Sequence, residues 1–348
     1  MAKITVLGAG AMSSAFSVPC VDNNHETIIV GTHLDNQFID TINKNNNFHP
    51  SLKLNLSKKT KFIRYNELSN EKNNLPDLIV IGTNSKGIDW SVEQLKNFFL
   101  KKKLPPILML TKGLNVYNNR YELLIDKLRR LLSKEGLTNI DISVVGGPCL
   151  ANNLANKVHT NVIIANKNLK TVKWLQEILS TNYYHISISN DVIGVEVCAA
   201  IKNIFSMIIG TAKGLNKKEK DKKQKEINYF NTAAALIPQC IHEMELFVSF
   251  LRGKKETVKG LAGIGDLYVS VAGGRNSLMG SYLGEGLLYS EVKKLKMKDI
   301  TVEGAELAFE INSMIKKDFN IKKLPLMFAM IDSVVNNKPI NIRWKYFN

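Results

Sequence analysis

Lys3-Ile4-Thr5-Val6-Leu7-Gly8-Ala9-Gly10-Ala11-Met12-Ser13 is the stretch that decides the fold. A short apolar run rich in β-branched residues stops at a glycine, and a helix-compatible run begins at Ala11. A strand, a glycine turn and a helix in this order form the cradle of a dinucleotide. Gly8 permits the tight turn, and Gly10 lets backbone come close to a pyrophosphate. The positive end of the helix, at Ala11, Met12 and Ser13, meets the negative charge. Ser13 stands where a third glycine is usual, and it is small enough for the position. G-x-G alone is a weak signal whose bland reading is a structural turn. The strand and helix around it favour dinucleotide binding.

Working outward, further runs have the same character: Thr27 to Gly31, Asp77 to Thr83, Pro106 to Lys112, Ile142 to Gly147, Asn161 to Ala165 and His185 to Ser189. They are rich in Ile and Val and apolar on both faces, as strands covered on both sides are. Helical patterns lie between several of them, among them Arg120 to Gly136 with Gly136 as C-cap. The alternation predicts an α/β, Rossmann-type, doubly wound N-terminal domain over residues 1–190. After about Asp191 the pattern changes. VIGVEVCAAIKNIFSMIIGTAKG is apolar nearly all round, which describes a buried helix. The segment from Asn216 to Glu226 is charged, and NTAAALIPQCIHEMELFVSFL is helical again. Residues 191–348 therefore read as a mostly α-helical C-terminal domain.

The chain has 348 residues, enough for two domains each with its own core. No apolar run is read as approaching the roughly 20 residues that span a bilayer. The start lacks the cleavage site of a signal peptide, so a cytoplasmic protein without integral membrane association is expected. The four cysteines are scattered, with no C-x-x-C pair and no histidine at ligand spacing, so no metal is expected. The net charge of +16 raises nucleic-acid binding. The excess sits in short runs such as Lys101-Lys102-Lys103 and in the mixed-sign segment after Asn216, without aromatics for stacking. A solvated surface that steers an anionic substrate is the better reading.

Three further constellations carry chemistry. At the end of the second strand, Gly31-Thr32-His33-Leu34-Asp35 has no acid directly at the strand end and no Arg to replace it. Asp35 is a ribose contact or a helix cap, and Thr32 and His33 tolerate a 2′-phosphate. NAD and NADP both stay open, with NAD slightly favoured. Lys202, followed by Asn203 within the apolar helix, is a snorkelling side chain or a general acid/base. An apolar side chain in its place suits that helix. The glycine-dense segment Gly260 to Asp266, followed by Gly273-Gly274-Arg275-Asn276, lets backbone approach a ligand. Asp266 would orient an ammonium and Arg275 would grip a phosphate. The bland readings are a capped turn and a surface arginine.

Taken together, Gly8-Ala9-Gly10, Phe48-His49-Pro50, Thr111-Lys112-Gly113, Gly147 to Ala151, Glu196 to Asn203, Leu261 to Asp266 and Arg275-Asn276 resemble, in content and order, the NAD(P)-dependent glycerol-3-phosphate dehydrogenases. The resemblance spans nearly the whole chain. It implies a Rossmann domain, a helical domain and a site in the cleft between them, with a small phosphorylated substrate. It makes Lys202 the proton donor and acceptor and Lys112 a substrate contact. Asp266 and Ser270 join the catalytic network. Asn203, Arg275 and Asn276 hold the substrate, with Arg275 also adjoining the cofactor and Glu303 near its nicotinamide end. A homodimer is compatible with it. The implied reaction is hydride transfer between a nicotinamide and dihydroxyacetone phosphate, with Lys202 protonating the developing alkoxide.

The sequence departs from the family at Ala233 and Gln239, where Lys and Arg are usual. It departs also at Cys149, at Asn84 and in the enlarged charged loop after Asn216. These changes leave open a paralogue acting on another phosphorylated or anionic ketone. A nucleotide-sensing protein without turnover is a third reading, opposed by the retained Lys202, Asp266 and Arg275.

Overall fold

A computed structural model describes residues 1–71, 75–99, 103–218 and 229–347. Lys101 and Lys102, and residues 219–226 of the charged segment, lie outside the described residues. The chain divides into two compact units, one of residues 1–112 with 123–195, the other of 113–122 with 196–348.

The first unit is built on strands β1 (Lys3–Leu7), β2 (Glu26–Gly31), β5 (Thr60–Arg64), β6 (Leu78–Ile81), β7 (Ile107–Met109), β10 (Ile142–Gly146), β11 (Thr160–Ala165) and β12 (Tyr184–Ser189). Phe48–His49 (β3) and Leu54–Asn55 (β4) form a small separate pair. The large sheet runs β12-β11-β10-β7-β6-β1-β2-β5. Its pairs are parallel except β10 with β11. From β5 to β10 this is the strand order of doubly wound dinucleotide-binding folds. Helices α1 (Ala11–Asp22), α2 (Asn36–Lys44), α3 (Ile88–Phe98), α4 (Leu124–Lys134), α5 (Ala151–Ala155) and α6 (Leu169–Leu179) connect the strands. The central strands are buried on both faces, Val6, Leu7, Val80 and Ile81 completely so, which explains their unbroken apolar sequence. In register, Leu7 lies beside Val30 and Ile81, and Ile81 beside Met109. The strands therefore end together, and the chain order reverses at β1. Ligands of such sheets bind at the carboxyl ends beside that reversal.

The second unit holds the hairpin β8 (Leu114–Tyr117) and β9 (Arg120–Leu123) for all but its last residue, together with α7 (Val192–Lys218) from Glu196 on. It continues with α8 (Phe230–Phe250), α9 (Lys255–Val258), a π-helical turn at Leu261–Gly265, α10 (Asp266–Ala272), α11 (Arg275–Gly284), α12 (Tyr289–Leu295), α13 (Glu303–Asp318) and α14 (Pro325–Val334). α7 and α11 meet backbone to backbone. A Cβ at Gly280 would stand 1.9 Å from the Met207 carbonyl oxygen, and one at Gly214 2.0 Å from that of Ser281. α13 comes as close through Gly304, where a Cβ would stand 2.5 Å from the Asn203 carbonyl oxygen. Across the unit, Glu243 of α8 accepts the backbone N–H groups of Leu326 (2.8 Å) and Met327 (2.9 Å), so a buried carboxylate closes the first turn of α14.

Three sequence expectations need correction. Residues 120–123, read as the start of a helix, form β9, and the helix starts at Leu124. The hydrophobic residues of α4 satisfy its core face without them, and hairpin pairing takes the rest. Thr60–Arg64 is a strand that the sequence reading missed. The third concerns membrane length. Val192–Asn216 is long and apolar enough to cross a membrane, but 94% of that stretch is buried inside the protein, where an all-round apolar helix belongs. The C-terminal side of α4 is as expected, with Gly136 in the left-handed region (φ +78°).

Candidate functional site

In the first unit the turn after β1 has the geometry its glycines suggested. Gly8 has φ +104° and donates its N–H to the Val30 carbonyl (2.8 Å). A Cβ there would press within 3.0 Å of the Thr83 backbone nitrogen. Gly10 caps α1, and a side chain on it would project into open space directly before the helix. Ala11, Met12 and Ser13 open that helix, so their N–H groups have no intrahelical acceptor, and no acidic side chain occupies the first turn. Ser13 is buried and donates its hydroxyl to the Gly82 carbonyl (3.1 Å). A Cβ on Gly82 would lie 2.0 Å from that hydroxyl oxygen. The close helix–strand approach usually granted by a third glycine is thus granted here by Gly82, directly after the facing strand β6.

His49 adds a second mark of the same site. Its Nδ1 accepts the Leu52 N–H (3.2 Å), which places the ring proton on Nε2. That donor is buried beside the Ala9 backbone. Burial first holds the His49 ring below the ordinary histidine range, against the opposing pull of its own and the Ala9 backbone. An open approach to helix N–H groups that lack intrahelical acceptors, with the buried His49 ring close to the Ala9 backbone, fits a dinucleotide pyrophosphate.

At the end of β2, Asp35 accepts from both the backbone N–H (2.8 Å) and the hydroxyl (2.7 Å) of Thr32. It closes its own loop and does not cap α2 with its side chain. His33 is exposed. The sequence reading found no arginine here, yet the sheet supplies one. Arg64, the last residue of β5, lies in register beside Gly31. Its guanidinium grips Asp40 with two bonds, of 3.0 and 2.5 Å. Thr111 donates to the Thr83 carbonyl (2.7 Å) and so fixes the backbone just before the half-buried Lys112. Asn84 caps the short 3-10 turn that follows β6 by accepting from Gly87 (3.0 Å).

In the second unit the remaining candidates come together in two linked sets. Lys202 and Asp266 form an ion pair, 7% and 1% exposed. Asp266 heads α10 directly after the π-helical turn, a rare geometry that recurs at functional sites. Of the glycines before it, Gly263 serves packing. A Cβ on Gly263 would stand 1.9 Å from the Val258 carbonyl oxygen. Ser270 donates its hydroxyl back to the Asp266 carbonyl (2.7 Å) and so stays with its own helix.

The second set starts at Asn203, one residue past Lys202. Asn203 donates to Glu303 (3.3 Å) and accepts from Asn276 (3.0 Å), while Asn276 accepts the Gly304 N–H (2.9 Å). Glu303 in turn accepts from Arg275 (3.2 Å). Arg275 follows Gly274, whose φ of +140° only glycine adopts readily, and its side chain is about half exposed. Of the departures from the family pattern, Ala233 is buried, and Gln239 is buried and donates to Glu243 (3.1 Å).

The sequence model of the NAD-dependent glycerol-3-phosphate dehydrogenase N-terminus matches residues 3–172, and that of its C-terminus matches residues 191–343. The chain is 29% identical over 320 residues to the NADP(+)-dependent glycerol-3-phosphate dehydrogenase of Archaeoglobus fulgidus, covering 90% of this chain and 91% of the relative. It is 26% identical to the glycerol-3-phosphate dehydrogenase [NAD(P)+] of Clostridium botulinum, covering 90% and 89%. The crystal structure of glycerol-3-phosphate dehydrogenase from Coxiella burnetii superposes with a TM-score of 0.78 at 25% identity, over 97% of this chain and 96% of that one. The Plasmodium falciparum enzyme shares the fold, with a TM-score of 0.81 at 22% identity over 99% and 95%. With both halves matched in order, this chain belongs to the NAD-dependent glycerol-3-phosphate dehydrogenase family.

Proposed function

We propose that this chain interconverts dihydroxyacetone phosphate and glycerol 3-phosphate, with Lys202 as the general acid and base. The observation that carries this reading is the buried Lys202–Asp266 pair, one residue away from the Asn203, Asn276, Glu303 and Arg275 chain. A nicotinamide dinucleotide, NAD or NADP, supplies the hydride. Reduction adds the hydride to the ketone carbon and a proton to its oxygen, and Lys202 delivers that proton from its ammonium group. In the oxidation direction, neutral Lys202 takes the hydroxyl proton. Asp266 orients the amine and holds a countercharge against it in both directions.

Arg275 supplies a two-pronged donor for the substrate phosphate, and Asn276, fixed by Gly304, adds an amide beside it. For Lys112 the support is the likeness of Thr111-Lys112-Gly113 to the family. In the first unit Gly8, Gly10 and the opening turn of α1 take the pyrophosphate. The test is a steady-state assay with purified protein, dihydroxyacetone phosphate and each reduced cofactor, following loss of the cofactor's near-ultraviolet absorbance. Turnover of this ketone well above that of carboxylated ketones is expected. A chain that oxidises neither cofactor with it refutes the reading.

A further inference from the structure

We infer that Glu303 is an internal competitor in the phosphate clamp, holding Arg275 until a phosphate displaces it. The inference rests on the reading of Arg275 as that clamp. A single guanidinium N–H reaches Glu303 Oε1 at 3.2 Å, with both side chains about half exposed. Exposed pairs of this kind shift an equilibrium by no more than about fivefold. A phosphate dianion offers three terminal oxygens to a fork of five donors, so it can take two parallel bonds where Glu303 takes one. A monoanionic carboxylate offers Arg275 the same group that Glu303 already presents. Glu303 therefore raises the concentration of anion needed to fill the clamp by up to about fivefold, and the phosphate dianion, as the stronger partner of the fork, still fills it.

The structure also identifies the part that moves. The second oxygen of Glu303 is held by Asn203 (3.3 Å), and Asn203 is held by Asn276 (3.0 Å). Gly304, the next residue, abuts the Asn203 backbone and donates to Asn276. The carboxylate is anchored, so the exchange falls to the Arg275 side chain, which stands free of the core at the start of α11. Before exchange the Glu303 charge occupies the Arg275 fork and competes with the phosphate for it. Replacing that charge with an amide of the same shape should tighten phosphate binding.

Inorganic phosphate, titrated calorimetrically into the nucleotide-free protein at constant ionic strength, tests this without turnover. Glu303→Gln should bind phosphate about three- to fivefold more tightly than wild type, and Glu303→Asp within about twofold of wild type on the same scale. Arg275→Ala should bind at least about tenfold more weakly, and in that background Glu303→Gln should change affinity by less than about 1.5-fold, since the occupied group is gone. Unchanged or weaker binding by Glu303→Gln, with Arg275→Ala still impaired, overturns the occupancy and leaves the clamp standing. Equal tightening in both backgrounds also overturns it, because the charge then acts without Arg275. If Arg275→Ala binds phosphate as wild type does, the clamp reading itself falls.

Discussion

Lys202 of α7 and Asp266 of α10 form an ion pair closed off from solvent, with 7% and 1% of their surfaces exposed. Such a pair contributes little net stability, yet losing one member leaves a buried charge behind. Lys202→Met should lower turnover by roughly 10²–10⁴-fold, the usual share of a general acid. From sequence, an apolar side chain suited that helix. The structure instead predicts a clear drop in melting temperature, because Asp266 stays buried without the ammonium. The double variant Lys202→Met/Asp266→Leu should regain stability and remain inactive. Activity within a few fold of wild type in the single variant would remove Lys202 from the chemistry.

Arg275 is expected to matter for the phosphate and little for the carbonyl. Charge-assisted bonds of this type are worth about 1.5–3 kcal/mol. Arg275→Ala should lower kcat/KM for dihydroxyacetone phosphate by roughly ten- to hundredfold, at 1.4 kcal/mol per decade. Its effect on unphosphorylated dihydroxyacetone should be several times smaller. Arg275→Lys should recover part of the loss, since a point charge cannot reproduce the fork. Equal relative losses on the two ketones would separate Arg275 from the phosphate.

Arg64 should report on the choice between NAD and NADP. It ends β5 beside Gly31, at the strand end where a ribose 2′ substituent is read. Arg64→Ala should reduce affinity for NADPH by about tenfold, one charge-assisted contact, and leave NADH within about twofold. Fluorescence titration of each reduced cofactor gives both numbers. Parallel losses would assign Arg64 to its bond with Asp40 alone.

Glu243 should make stability fall as pH rises. Burial pushes its carboxyl up from 4.5 to about 7, only partly offset by the N–H groups of Leu326 and Met327 and the amide of Gln239. The folded state prefers the protonated acid. The corresponding stabilisation is complete below pH 4.5 and is lost as pH rises through 7. At about 1.4 kcal/mol per unit, the whole change is about 3 kcal/mol. Urea midpoints on either side of this window should differ less in Glu243→Gln than in wild type. An unchanged pH dependence would show that this carboxyl keeps one charge state throughout.

What could be read along the chain was whatever the chain keeps local. The Gly8 turn is contiguous, and so is its strand-and-helix context. The two-sided apolar strands announced a sheet covered on both faces. The residues of the second unit were legible as Lys202-Asn203, Asp266 and Arg275-Asn276 through family likeness. Their wiring was not, because the bonds from Asn203 to Asn276 and Glu303 join three helices far apart in sequence. Arg64 was invisible for a similar reason. A parallel register, not sequence proximity, sets it beside Gly31. Short strands with charged neighbours, such as Thr60–Arg64, lack the apolar run that betrays a buried strand. Arg120–Leu123 shows the opposite ambiguity, a few residues that suit a strand as well as the helix that follows.

The contact of α7 with α11 and α13, glycine against carbonyl, has a consequence for how this enzyme evolves and moves. Helices separated by no side chains have no lubricating layer, so they cannot ratchet past one another by a turn without their backbones colliding. Asn203, Asn276 and Glu303 ride on these three helices, so their spacing is settled when the chain folds and is carried unchanged from one catalytic cycle to the next. Adaptation to a new ligand then has to come from replaceable side chains such as Arg275 at the margin. The glycines at 210, 214, 280, 284 and 304 are closed to substitution however far they lie from the chemistry.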